Sequence, residues 1–238
     1  MVVAPVRRYG EEMSNEPAVG PSKETARRVS RLWPLVSGMA AVALVVGGGL
    51  LIAARGAVPE IDSEWMAEII EHRSPIWQVP ALAMNFLGGG WFGVYVLPVV
   101  IVVAFCLARR FWTAGYFAIA SAASVGVVQL LKFLFDRVRP PDGLVPLDTG
   151  SFPSGHVANA ATMAVILGII FWKAWVWAVG AVYTALMMLS RTYLGVHWLT
   201  DTIGGLFIGA AVAVMVWAPL ASRVKSEWES QRRSSVHP

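Results

Sequence analysis

Apolar residues gather into six runs with polar tails at both ends. The first run, from about Trp33 to Ala54, follows 31 residues rich in Pro, Ser, Glu and Arg that show no apolar periodicity. The pattern predicts a polar tail over 1–31, then a span that acts as a signal anchor, since no small-residue cleavage site closes it. The second run covers about 76–107, longer than one crossing needs, and Gly88-Gly89-Gly90 interrupts it, which predicts a bend. Four more runs lie at about 113–134, 153–172, 174–189 and 197–220. The expected fold is therefore an all-α integral membrane protein, a bundle of six transmembrane helices over 32–221 with a polar C-terminal tail at 222–238.

The breaks between runs carry their own pattern. Glu60, Asp62, Glu64, Glu68 and Glu71 interleave with Ile61, Trp65, Ile69 and Ile70 at helical spacing, which predicts a short amphipathic helix on the membrane surface. Its acidic side is read as a solvated face rather than a cation site. The connection over 135–153 holds four prolines with Asp136, Arg137, Arg139, Asp142 and Asp148, and cannot face lipid. Its aspartates are read as solvating the loop and Arg137 as reaching lipid headgroups. Trp33, Trp172, Trp175, Trp198 and Trp217 fit interfacial belts. Gly47-Gly48-Gly49 suits close helix packing, and Gly205 with Gly209 suits either internal packing or the seam of a homodimer.

Composition agrees with this picture: 56% of the 238 residues are hydrophobic, only 14% are charged, and the mean hydropathy is +0.60. The net charge of +4 comes without a basic stripe interleaved with aromatics, which argues against a nucleic-acid partner. Topology accounts for the excess. With the N-terminus inside and six crossings, thirteen of the nineteen Lys and Arg face the cytoplasm, as the positive-inside rule requires. Both termini are then cytoplasmic. The single cysteine, Cys106, sits in an apolar run and excludes an internal disulfide.

Three polar stretches remain, and in this topology all lie on the outer, extracytoplasmic side. Lys132 and Arg139 flank the start of the proline-rich loop, Ser154 and Gly155 precede His156 at a helix start, and Arg191 precedes His197 and Asp201. A His and an Asp four residues apart stack on one helical face, the geometry of an oriented imidazole. Three cations, two histidines, a carboxylate and a helix N-terminus make an anion-binding site suited to phosphoryl transfer.

Lys132-x6-Arg139-Pro140, Pro153-Ser154-Gly155-His156 and Ser190-Arg191-x5-His197-x3-Asp201 resemble the three-part signature of the type 2 phosphatidic acid phosphatase superfamily, which includes vanadium haloperoxidases. Every position is filled in order. The resemblance implies an enzyme of the cell membrane acting on a lipid phosphate without a metal or other cofactor. His197 would be the nucleophile, forming a phosphohistidine oriented by Asp201, and His156 the general acid and then base. Lys132, Arg139, Arg191, Ser154 and the backbone at Gly155 would bind the phosphoryl oxygens. Within the family the substrates implied are polyprenyl diphosphates, slightly preferred because a spent glycan carrier is recycled at the outer face, and phosphatidic acid or phosphatidylglycerol phosphate. Six apolar spans argue against a haloperoxidase. A non-enzymatic lipid transporter or scaffold would explain the spans but not the complete motif set.

Overall fold

The computed structural model describes residues 23–146 and 150–234. Most of the polar N-terminal tail and Asp148 lie outside the described residues. Among the described residues eight α-helices follow in order: α1 (Lys23–Arg55), α2 (Glu60–Glu71), α3 (Pro75–Gly88), α4 (Leu97–Leu107), α5 (Phe111–Phe135), α6 (Gly155–Phe171), α7 (Ala174–Tyr193) and α8 (Leu199–Ser234). A π-helical turn, Phe92–Val96, leads into α4.

Among the described residues four helices, α1, α5, α7 and α8, are long and apolar enough to cross a bilayer. The pair α3 and α4 makes a fifth span if counted together, bent by 43° where the glycine run predicted a bend. At 17 residues, α6 is apolar but shorter than these spans, so four or five spans stand where six were expected.

The bundle is built around α6, which packs against α3, α5, α7 and α8. Val157 through Met163 are all buried. The close approach of α8 depends on the glycines singled out above. A β-carbon at Gly205 would overlap the Ser154 carbonyl, and one at Gly209 would overlap that of Ala158. These glycines therefore pack inside the molecule. Of the Gly47-Gly48-Gly49 run in α1, Gly49 alone packs as expected, against Phe135 and Phe152, whereas Gly47 and Gly48 face open space.

Four expectations are corrected. Helix α1 starts at Lys23, inside the expected tail. Helix α8 continues to Ser234, across the boundary expected at 221/222. Its extension is polar because it docks rather than dangles: Glu227 accepts hydrogen bonds from Trp112 N at 2.8 Å and from Thr113 N at 3.1 Å, satisfying donors that the first turn of α5 leaves unpaired. Arg110 stacks on Trp228 at 3.2 Å, and Gln231 Nε2 donates to Arg109 O at 3.1 Å. Helix α2 is not solvated along its whole acidic side, because Asp62 is fully buried where α2 meets α7 and α8. Trp198 belongs to no interfacial belt; it is buried and donates from Nε1 to Val138 O at 2.9 Å.

Candidate active site

The end of α5, the start of α6, the end of α7 and the start of α8 meet at one end of the bundle, a consequence of their antiparallel alternation. They surround a cavity of about 360 Å³ lined by Lys132, Arg139, Gly155, His156 and His197. Five of the eight residues expected in the site thus face one space. The other three, Ser154, Arg191 and Asp201, are buried around it.

His197 occupies the turn between α7 and α8. Its Nδ1 faces Asp201 Oδ2 at 3.5 Å, and Arg139 Nη1 approaches its Nε2 at 3.5 Å. The proton therefore belongs on Nδ1, toward the carboxylate, which leaves the Nε2 lone pair toward the cavity. Burial holds the ring's pKa well below its ordinary value, and the positive charges of Arg191, Lys132 and Arg139 push it further in the same direction. A neutral imidazole at neutral pH follows, the form needed for nucleophilic attack.

Main-chain carbonyls tether two of the three cations. Lys132 Nζ and Arg139 Nη2 both donate to Gly150 O, the second at 3.2 Å, and Arg139 Nη1 donates to Val196 O. Burial lowers the Arg139 pKa and the nearby Asp201 charge opposes the shift. Fully buried, Arg191 is held by one donor, Nη1, on Asn85 Oδ1 of α3. Among the described residues Arg191 Nε and Nη2, Ser154 Oγ and His156 Nε2 are buried without a hydrogen-bond partner, as is His197 Nδ1, whose 3.5 Å approach to Asp201 is an ion-pair contact only. Leaving such groups unmatched is costly, and an anion with several acceptor oxygens suits this set.

Helix α6 supplies the remaining donors. Ser154 stands at its N-cap position and its own N–H is taken by Asp201 O at 2.9 Å, which ties the start of α6 to the first turn of α8. The N-terminus of α6 opens beside the cavity at Gly155, adding the positive end of a helix dipole. Across the cavity, the broken stretch between α3 and α4 presents Gly88 and Gly89, and Asn159 Nδ2 binds the carbonyls of Gly88 at 3.3 Å and Gly93 at 2.8 Å. The glycine run thus serves the site as well as the bend.

Sequence reasoning missed one residue pair outright. Arg137 does not reach toward headgroups: its side chain is 10% exposed and forms ion pairs with Asp201 Oδ1 at 2.6 Å and Asp62 Oδ2 at 2.8 Å. No local spacing signals a contact between positions 62 and 137. Among the described residues the grouping able to gather round a cation is Glu68, Glu71 and His72, exposed on α2 and its end and absent from the cavity wall.

Comparison with known proteins bears on this geometry. The model of the PAP2 superfamily matches residues 111–224. Phosphatidylglycerophosphatase B of Bacillus subtilis is 28% identical over 134 residues, 51% of this chain and 66% of the relative. Decaprenylphosphoryl-5-phosphoribose phosphatase of Mycobacterium tuberculosis is 32% identical over 142 residues, 57% of this chain and 76% of the relative. The crystal structure of a transmembrane PAP2 type phosphatidylglycerolphosphate phosphatase from Bacillus subtilis is similar with a TM-score of 0.64 and 26% identity, covering 74% of this chain and 93% of that one.

Proposed function

Since this chain belongs to the PAP2 superfamily, we propose that it removes phosphate from a membrane lipid through a phosphohistidine on His197. The observation that carries this reading is the convergence of His197 Nε2, Arg139, Lys132 and His156 on one cavity, beside buried donors of Arg191 and Ser154 that no group among the described residues satisfies.

In the first step His197 Nε2 attacks phosphorus as the bond to the lipid oxygen breaks, and His156 gives that oxygen its proton. The imidazole becomes cationic, and Asp201 opposite Nδ1 stabilises the charge. In the second step His156 takes a proton from water, the water oxygen bonds to phosphorus, and the bond to His197 breaks. Lys132, Arg139 and Arg191 hold the equatorial oxygens throughout. Three fixed cations can do what a divalent metal does in other phosphoryl transfers, so turnover needs no metal.

The protein crosses the cell membrane six times, with α3 and α4 as one bent span and α6 as a short one, both termini cytoplasmic and the site at the outer face. The cation distribution supports that orientation. The cavity continues past Gln129 and Val125 of α5 to Tyr95, which is exposed on the bent span, so a lipid enters sideways with its tail between helices.

By their names, the two relatives act on phosphatidylglycerophosphate and decaprenylphosphoryl-5-phosphoribose, lipids that share a phosphate and a membrane-bound tail. The substrate class here is the same, with a slight preference for a polyprenyl diphosphate given the outward site, and phosphatidic acid or phosphatidylglycerol phosphate next. The deciding experiment is phosphate release by purified protein in detergent with EDTA, across a C55 polyprenyl diphosphate, phosphatidic acid, phosphatidylglycerol phosphate and a water-soluble phosphate ester. Rapid release from a lipid supports the reading and names the substrate. No release, or release only after Mg²⁺ is added, refutes it.

A further inference from the structure

Behind the nucleophile lies a polar cluster that does not line the catalytic cavity. Asp62 of α2 and Asp201 of α8 are both fully buried and share one guanidinium. Arg137 Nη1 donates to Asp201 Oδ1 at 2.6 Å and to Thr200 Oγ1 at 2.8 Å, while Nη2 donates to Asp62 Oδ2 at 2.8 Å. Asp62 also accepts from Thr200 N at 2.8 Å and from Thr200 Oγ1 at 2.6 Å. We infer that Asp62 and Arg137 are positioning residues for phosphoryl transfer, holding the Asp201 carboxylate in the one orientation that serves His197. This rests on the phosphatase reading above.

The geometry supplies the reasons. With Oδ1 fixed by Arg137, the Asp201 carboxylate cannot rotate, and Oδ2 is left for Trp198 N at 2.8 Å and for the His197 ring at 3.5 Å. Trp198 adjoins His197, so one oxygen sets both the loop and the imidazole. Two buried carboxylates require a cation between them, and a planar fork reaches both where an ammonium reaches one. Asp62 further caps α8 from outside, since Thr200 N lies in the first helical turn whose N–H groups lack intrahelical partners. The turn that carries Asp201 is thereby anchored to α2, 138 residues away in sequence.

Attack on phosphorus makes the His197 ring cationic, and a carboxylate already fixed in place stabilises that charge without reorganising. The cluster therefore acts on the chemical step. Neither Asp62 nor Arg137 touches the cavity, so substrate binding stays as it is.

The test uses full-length protein in detergent with phosphatidic acid and farnesyl diphosphate as probes. Asp62→Asn keeps the shape and removes the charge, and Arg137→Lys keeps the charge and removes the fork. Each is expected to lower kcat about tenfold with KM unchanged within about twofold. In an Asp201→Asn background, adding Asp62→Asn is expected to change kcat by less than about twofold, because the residue through which it acts is already altered. Wild-type kcat in both single variants overturns the inference. So does an Asp62→Asn loss as large in the Asp201→Asn background as in the wild type, the signature of general structural damage. Should Asp62→Asn not purify as a folded species, Arg137→Lys decides by the same kcat and KM split. If the wild type releases no phosphate from these probes or from any lipid of the panel above, the phosphatase reading falls and takes this inference with it; release from another lipid of the panel moves the same variants and the same kcat and KM split to that lipid.

Discussion

Gly89 lies so close to His156 that a β-carbon built on it would overlap Nε2 and Cε1 of the imidazole. Its backbone is extended, with φ −149°, so the requirement is for space and not for an unusual conformation. The break between α3 and α4 brings the chain against the proposed general acid.

Gly89→Ala is therefore expected to displace His156. A misplacement of about 1 Å costs on the order of 100-fold in rate. The loss should appear in kcat for a lipid alcohol leaving group and shrink for p-nitrophenyl phosphate, whose leaving group needs little protonation. Equal losses on both substrates contradict the role given to His156.

Arg191 presents two buried donors with no partner among the described residues. Arg191→Lys removes the planar fork while keeping a charge, and is expected to lower kcat/KM by roughly 100-fold to 1000-fold, the usual cost of one preorganised donor. Steady-state kinetics on the best lipid substrate checks this.

The charge state of His197 gives a pH prediction. Its folded pKa lies well below the ordinary histidine value because of burial and then the surrounding cations. The neutral ring persists as pH falls through 6.5, the ordinary histidine value, and protonates only further down. The acid limb of kcat/KM that belongs to the enzyme should lie well below that value, once the substrate's own ionisation, at about 6 for a phosphate monoester, is measured separately. For stability the sign is the same. The unfolded chain takes up a proton that the folded ring refuses, so this group's contribution is present above the unfolded pKa and is lost on acidification below it. An enzyme limb centred near 6.5 contradicts a neutral buried nucleophile.

Much of the site was legible because its parts are local. His197 and Asp201 are four residues apart, Ser154 and Gly155 adjoin His156, and Lys132 and Arg139 flank one loop. Spacing and residue type therefore grouped them within each stretch, while the outward topology and the resemblance to the superfamily's three-part signature joined the stretches. Arg137 was illegible for the opposite reason: its partner Asp62 lies 75 residues away on a helix whose other acidic residues face solvent. The glycine run suggested a bend, but nothing local said that His156 would press against it. At the other end of the molecule, the charges of residues 222–234 looked like a tail because pattern does not show that Glu227 meets the start of α5.

That contact predicts a purely structural effect. Glu227→Ala removes an external cap from α5, worth about 1 kcal/mol, and should lower Tm by roughly 2–4 °C while leaving kcat unchanged. Thermal unfolding in detergent alongside phosphate release separates the two.

The most direct measurement of the central claim is to trap the intermediate. Purified protein is mixed with a lipid substrate radiolabelled on its terminal phosphate, quenched in alkali within milliseconds, digested, and the label mapped. The account predicts an alkali-stable, acid-labile label on the peptide containing His197, absent from His197→Ala, which should also lack turnover. Phosphate release without label at His197, or near wild-type turnover by His197→Ala, contradicts it.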